Sequence, residues 1–450
     1  MAVSKTSTIV WGIEHLMKKG QDLPANIMRN LQIIQAIVSA EKRFGKNNFY
    51  HSDIGQPLDH NLPIHKLIVQ GSEFAVSMLK KSPELRGYTS PVGLLVLRES
   101  FADFYKKYWR FEIDPETLLI SNGASEIWNA FVHSSLWPGD LVLTCDPHYN
   151  PFDVALAETG AGWLSIKTKA ENGYHFTKTD FEKTLLRKPK KGSIKAVYIN
   201  SPSNPTGVIY SKKEIDLFVD FALKNQLFIV MDSVYALYNY SNNPNLVDYL
   251  KSIPKTKLEK INDRLILLDS MSKLAHNPGV RIGMGMIPNP ETRKQMFSDL
   301  SIRGNVQNHG QMKSAFVLDK IGRNPTLLND QKLLYRKKMA IAYQIVKKNL
   351  MDKRIIPSSP PPEGSLYLTI KTGFDNFDFL IWSMTKYQGK NATSFVPLTV
   401  GKTSFRAVDA DEGRRELRLC IGSDLKIIEA AIDSFVNQVI AYKKFISEAG

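Results

Sequence analysis

The 450-residue sequence predicts an α/β protein, with a large domain on a mainly parallel sheet and a smaller α+β domain after it. Three observations carry this. Between about residues 90 and 325, short continuous apolar runs alternate with helix-period segments, the pattern of buried parallel strands covered on both faces. Polar and charged residue types gather directly after those runs, at the edge of the sheet where open α/β folds bind ligands. Past about residue 325 the texture changes to a long helical stretch, short strands and a terminal helix.

In order along the chain, residues 1–85 are expected to form an N-terminal arm and part of the small domain, with Leu31–Val38 as the most periodic helical piece. Residues 86–325 form the expected large domain. Its strands are Thr117–Ser121, Asp140–Thr144, Ala196–Ile199, Leu227–Met231 and Leu265–Leu268, with helices from about Ser125 and over Lys213–Lys224 between them. Residues 326–450 form the expected small domain: a helix over Asp330–Leu350, a proline-rich turn at Pro357–Pro362, strands at Ser365–Thr369 and Glu416–Ile421, and a helix from about Ile427.

The composition, 43 % hydrophobic and 23 % charged, is that of an ordinary soluble globular protein. The apolar stretch Thr8–Ile13 is too short for the core of a signal peptide, and no run nears the roughly 18 apolar residues of a membrane span. A cytoplasmic location is therefore expected. Cys145 and Cys420 lie in strand-like runs and make neither a disulfide framework nor a metal site, so no metal is expected. The net charge of +15 is spread along the chain, its densest clusters (Arg187–Lys191 and Arg336–Lys338) reading as solvated loops or helix faces. No nucleic-acid motif accompanies the charge, and nucleic-acid binding is not expected.

The chemistry lies just beyond the strand ends. After Ile199 comes Asn200-Ser201-Pro202-Ser203-Asn204-Pro205-Thr206-Gly207; after Met231 comes Asp232-Ser233-Val234-Tyr235. After Leu268 come Ser270-Met271-Ser272-Lys273 and then Arg281. Each piece alone has an ordinary explanation. Asn-Pro-Thr-Gly is a turn, Ser-x-Ser-Lys is commonplace, and an Asp after a strand usually caps a helix. Jointly, in this order and at strand ends, they supply what pyridoxal 5'-phosphate (PLP) requires. That cofactor needs a lysine for its aldehyde, a buried carboxylate to keep its ring nitrogen protonated, donors for its phenolic oxygen, and hydroxyls, a cation and helix-start N–H groups for its phosphate.

From about residue 50 onward the sequence resembles the class I/II aminotransferases, the aspartate aminotransferase-like PLP enzymes of fold type I. The resemblance implies a seven-stranded-type, mainly parallel sheet in the large domain. It assigns Lys273 to the cofactor's Schiff base, Asp232 to the ring nitrogen, and Asn204 and Tyr235 to the phenolic oxygen. Gly123, Ala124, Ser125, Ser270, Ser272 and Arg281 fall to the phosphate side, and Tyr149, in Pro147-His148-Tyr149, stacks on the ring. Tyr88 matches a residue that reaches the phosphate of the neighbouring subunit, which implies a homodimer with shared active sites. Arg418 matches the arginine that grips the substrate α-carboxylate, with Asn204 and Gly55 (in Asp53-Ile54-Gly55-Gln56-Pro57) also on the substrate side. Lys273, Asp232 and Tyr235 are the expected catalytic residues. No second substrate arginine has a place, so a dicarboxylate preference is not implied. His148, His276 and His309 read as structural.

The implied activity is transfer of an amino group from an amino acid to a 2-keto acid. A PLP-dependent lyase, cyclase or oxidase on the same apparatus is the alternative. A non-catalytic PLP-binding regulator is more remote, since Lys273 is intact.

Overall fold

The computed structural model describes residues 35–40, 42, 49–52, 55–57, 59, 62–190, 192–351, 355–387, 394–399 and 413–449. Seven strands form the larger sheet: β2 (Leu118–Ser121), β3 (Asp140–Asp146), β4 (Gly162–Lys167), β5 (Ser193–Asn200), β6 (Phe228–Asp232), β7 (Leu265–Ser270) and β8 (Gly283–Met286). Their spatial order is β2-β8-β7-β6-β5-β3-β4, parallel throughout except for β8, which is antiparallel to both neighbours.

The middles of the central strands are apolar on both sides because both faces of the sheet are covered. Alternate residues serve opposite cores. Val197 and Ile199, Ile229 and Met231, and Leu265 and Leu267 face one cluster. Ala196 and Tyr198, Val230, and Ile266 and Leu268 face the other. The period-two geometry of a strand does the sorting.

A smaller sheet comprises β1 (Phe49–Ser52), β9 (Ile356–Pro357), β10 (Tyr367–Lys371), β11 (Ser394–Thr399) and β12 (Glu416–Cys420), in the order β1-β11-β12-β10-β9. Its β10 and β12 supply Leu368, Ile370, Leu417 and Leu419 to a separate core beneath the long helices Thr326–Leu350 and Leu425–Ala449. Half of the expected helix Leu31–Val38 lies outside the described residues; the other expected helices and the central strands are present with shifted ends. Strands β1, β4, β8, β9 and β11 lie beyond the sequence expectation. The sequence of β8, Gly-Met-Gly-Met, lacks a strand signature because its glycines answer packing. A Cβ on Gly283 would lie 2.3 Å from the Gly123 carbonyl carbon, and one on Gly285 would lie 2.7 Å from Ile127 Cγ2. The helix Ala124–Ser135 lies too close to β8 for side chains between them.

Both cysteines are buried and unbridged. Among the described residues no helix is long and apolar enough to cross a membrane, and no cluster of metal-ligating side chains occurs.

Candidate active site

Strand register assembles the site. Asn200 on β5 is the Cα partner of Asp232 on β6, and Gly283 on β8 pairs with both Ser270 of β7 and Ser121 of β2. Residues about 160 positions apart in sequence, Ser121 and Gly283, therefore meet at one sheet edge. They line a cavity of about 320 Å³, which the smaller sheet completes by presenting Tyr367 from β10 and Arg418 from β12.

At one end, β2 turns through Gly123 (φ +99°) into the helix Ala124–Ser135. Glycine is needed twice over, for this left-handed backbone and because a Cβ would sit 2.5 Å from Arg281 Nη2. Arg281 donates from Nη2 to the Asn122 carbonyl at 2.9 Å and from Nη1 to the Pro278 carbonyl at 3.1 Å. Ser270 Oγ lies 2.9 Å from Ser272 Oγ and accepts the Ser272 N–H at 3.1 Å. Gly123, Ala124, Ser125, Ser270, Ser272 and Arg281 all line this end, which joins a helix start, hydroxyls and one guanidinium.

On the cavity's floor Asp232 is 6 % exposed. Its Oδ2 accepts the Tyr198 hydroxyl at 2.8 Å and its Oδ1 the Val234 N–H at 3.1 Å. Burial raises its carboxyl to about 6, against the pull of those two donors. Lys273 is 9 % exposed, and its amine donates to the Gly55 carbonyl. Burial lowers it to about 8, Arg418 and Arg281 pushing the same way while Cys420 opposes. An amine at that value has a sizeable neutral fraction near pH 8, which an exposed lysine does not.

At the other end Arg418 is buried and donates from Nη1 to Asn204 Oδ1 at 2.9 Å. Its guanidinium stands 4.3 Å from the Tyr367 ring centre. The Tyr367 and Tyr235 hydroxyls are 2.5 Å apart. Burial, then Tyr367, raises the Tyr235 phenol. Tyr149 lies against Phe152 edge-on at 5.0 Å and lines the same cavity.

Of the sequence-expected site residues, Gly55, Gly123, Ala124, Ser125, Tyr149, Asn204, Asp232, Tyr235, Ser270, Ser272, Lys273, Arg281 and Arg418 meet in this one cavity. Tyr88 does not. It is 97 % exposed, on a loop held by Asn308 Nδ2, which donates to the Leu85 and Gly87 carbonyls at 2.8 and 3.0 Å. Asp53 and Ile54 lie outside the described residues, as does most of the segment 400–415. His148 donates from Nε2 to Asp153 Oδ1 at 2.9 Å, and His276 is buried beside Tyr335, neither lining the cavity.

Sequence reading missed Asn200, Tyr198 and Tyr367. Asn200 Oδ1 accepts the Asn204 N–H at 2.6 Å and so shapes the Asn-Pro turn. Its place at a strand end was the available signal. Tyr198 and Tyr367 read as strand core, and no local pattern marks them.

The donor set suits a flat ring with a phosphate at one end and a carbonyl at the other. The helix start at Gly123, Ala124 and Ser125 lines the cavity for a phosphate, the buried carboxylate suits a protonated ring nitrogen, and a buried amine lines the same cavity. The residues fit PLP.

A family model described as aminotransferase class I and II matches residues 53–345. Aromatic-amino-acid aminotransferase 2 of Thermococcus litoralis is 28 % identical over 236 residues, 52 % of this chain and 56 % of that protein. 1-Aminocyclopropane-1-carboxylate synthase 8 of Arabidopsis thaliana is 28 % identical over 235 residues, 51 % of this chain and 50 % of that protein. The matches thus span about half the length of these curated relatives. The solved structure of a Thermus thermophilus aspartate aminotransferase double mutant superposes with a TM-score of 0.72 at 16 % identity, covering 97 % of this chain and all of that one. At that identity the likeness speaks for the fold alone.

Proposed function

The chain belongs to the class I and II aminotransferases, whose members depend on PLP, and on that premise we propose that it transfers an amino group from an amino acid to a 2-keto acid. The observation that carries the reading is the placement of a buried amine, a buried carboxylate and a buried guanidinium (Lys273, Asp232 and Arg418) around one cavity at the carboxyl edge of the sheet.

When bound, PLP supplies an electron sink for the negative charge that develops at the amino acid's Cα. Lys273 would hold the cofactor through its aldehyde, and its Nζ, when neutral, would take the proton from Cα as general base. Asp232 keeps the ring nitrogen protonated. Asn204 and Tyr235 hydrogen-bond the phenolic oxygen. The helix start at Gly123–Ser125, the hydroxyls of Ser270 and Ser272, and Arg281 hold the phosphate, while Tyr149 covers one ring face. Arg418, its fork fixed by Asn204 and Tyr367, takes the substrate α-carboxylate in two parallel hydrogen bonds and so orients Cα. Gly55 closes the substrate side.

The reading takes the enzyme as a homodimer in which Tyr88 reaches the partner's phosphate end. Its exposure in the single chain accords with that. The buried unbridged thiols accord with a reducing compartment, and the cytoplasm is the location we take. The chain divides, on this reading, into the arm 1–85, the large domain 86–325 and the small domain 326–450.

A second reading, elimination with ring closure, has one specific support: the match to the plant 1-aminocyclopropane-1-carboxylate synthase at an identity equal to that of the aminotransferase. Absorbance spectroscopy separates the two. Holoenzyme given single amino acids without a keto acid should lose its visible cofactor band with one donor class and regain it when a 2-keto acid is added. Continued turnover without any keto acid, with ammonia or a cyclised product accumulating, would overturn transamination in favour of the second reading.

A further inference from the structure

We propose that Tyr198 is the positioning residue for Asp232, holding one carboxylate oxygen so that the group stays charged and aimed at the ring nitrogen of the bound cofactor. The inference rests on the reading of the cavity as a PLP site, and it concerns a residue buried behind that cavity.

Tyr198 lies on β5, six positions before Asn204, and is 1 % exposed. Its ring is confined on three sides, with centre-to-centre distances of 5.4 Å to Trp128, 5.5 Å to Phe152 and 5.8 Å to Trp163. Packing of this kind removes the ring's rotational freedom before any ligand arrives, so the hydroxyl is pre-aimed. It donates to Asp232 Oδ2 at 2.8 Å, while the Val234 N–H holds Oδ1 at 3.1 Å. Both donors are neutral, so each favours the carboxylate over the carboxylic acid without competing with a cationic ring for its charge.

Other groups face this carboxylate. Asp269 on β7 is itself buried and holds the Tyr105 hydroxyl at 2.6 Å; burial and the neighbouring Asp232 charge raise its own carboxyl. Tyr149 approaches from the cavity side. Burial therefore works against the charged form of Asp232. Tyr198 and Val234 work for it, and of those only Tyr198 is a side chain that substitution can remove.

Tyr198→Phe deletes the hydroxyl and keeps the ring in its cluster. The apoenzyme's affinity for PLP and for 1-deaza-PLP, in which the ring nitrogen is replaced by carbon, is to be measured by equilibrium dialysis across pH. The variant is expected to bind PLP about tenfold more weakly, with the acid-side loss of binding moved to higher pH because Asp232 protonates more readily. Its affinity for the deaza analogue is expected to stay within about twofold, since Asp232 then has no ring nitrogen to answer. In an Asp232→Asn background, adding Tyr198→Phe is expected to change PLP affinity no further. Equal weakening toward both ligands, or a further loss in the Asp232→Asn background, would overturn the proposal by showing that Tyr198 serves the packing alone. No change toward either ligand would overturn it as well. Wild-type apoenzyme that binds the two ligands equally would remove the pairing of Asp232 with the ring nitrogen, a failure of the site reading visible before any Tyr198 variant is made.

Discussion

Lys273 and Gly123 show how single positions set the properties of the cavity. A lysine that must join an aldehyde has to be neutral when it attacks, and burial holds Lys273 near 8 instead of its ordinary value. The rate at which apoenzyme captures PLP covalently should therefore climb as pH rises through about 8 and level off above it. Stopped-flow absorbance checks this; a climb that continues toward about pH 10 would mean the amine is not desolvated. At Gly123 the left-handed backbone and the nearness of Arg281 Nη2 leave no room for a methyl group. Gly123→Ala should cost roughly 1–3 kcal/mol of stability through backbone strain. It should also weaken PLP binding about tenfold or more by displacing the guanidinium. Thermal melting and equilibrium dialysis read the two effects separately.

Among the elements, the helix Lys212–Lys224 is tied to the approach to β10 by one histidine. Glu214 closes the capping box of that helix with Ser211 and also accepts His175 Nδ1 at 3.0 Å, while His175 Nε2 reaches Glu363 at 3.2 Å. Hydrogen bonds that His175 donates to Glu214 and then to Glu363 raise it to about 10. Hydrogen bonds from His175, the Phe176 N–H and Ser211 outweigh burial and lower Glu214. A histidine whose folded value is raised contributes stability in full below its unfolded value, about 6.5, and loses it as pH rises through about 10. A glutamate whose folded value is depressed contributes above its unfolded value, about 4.3, and loses that as pH falls. The clamp is thus strongest between about pH 4.5 and 6.5. The difference in melting temperature between wild type and His175→Gln should be largest in that window and shrink toward about pH 10. A difference that grows with pH would contradict the assignment.

For the molecule as a whole, Tyr88 is the residue out of place. The loop that carries it is held by Asn308 and stands open to solvent, away from its own chain's cavity. If Tyr88 serves the partner's site, two inactive variants should rescue each other. Tyr88→Ala and Lys273→Ala, mixed and refolded together, should recover up to about a quarter of wild-type activity, since half of the dimers would be mixed and each would hold one intact site. Unmixed variants serve as the baseline. Recovery no greater than that baseline would place Tyr88 outside the partner's site.

The fold class and the central strands are legible in the sequence because those features are local, and the residues proposed for the site are placed by the same strand ends. A buried parallel strand must be apolar along its whole length, and Asn204, Asp232, Tyr235 and Lys273 come after such strands at readable positions. Arg418 and Tyr88 were legible only through resemblance, having no local signature of their own. Tertiary structure alone decided the rest. Strand β8 is glycine-rich because a helix crosses close above it, a constraint from residues about 160 positions earlier in the chain. Tyr367 meets Tyr235 because two sheets close on one cavity, and Tyr198 meets Asp232 because adjacent strands share a register. Periodicity reports which face of a strand is apolar, whereas the partner of a buried hydroxyl depends on strand order and register, which no single segment encodes.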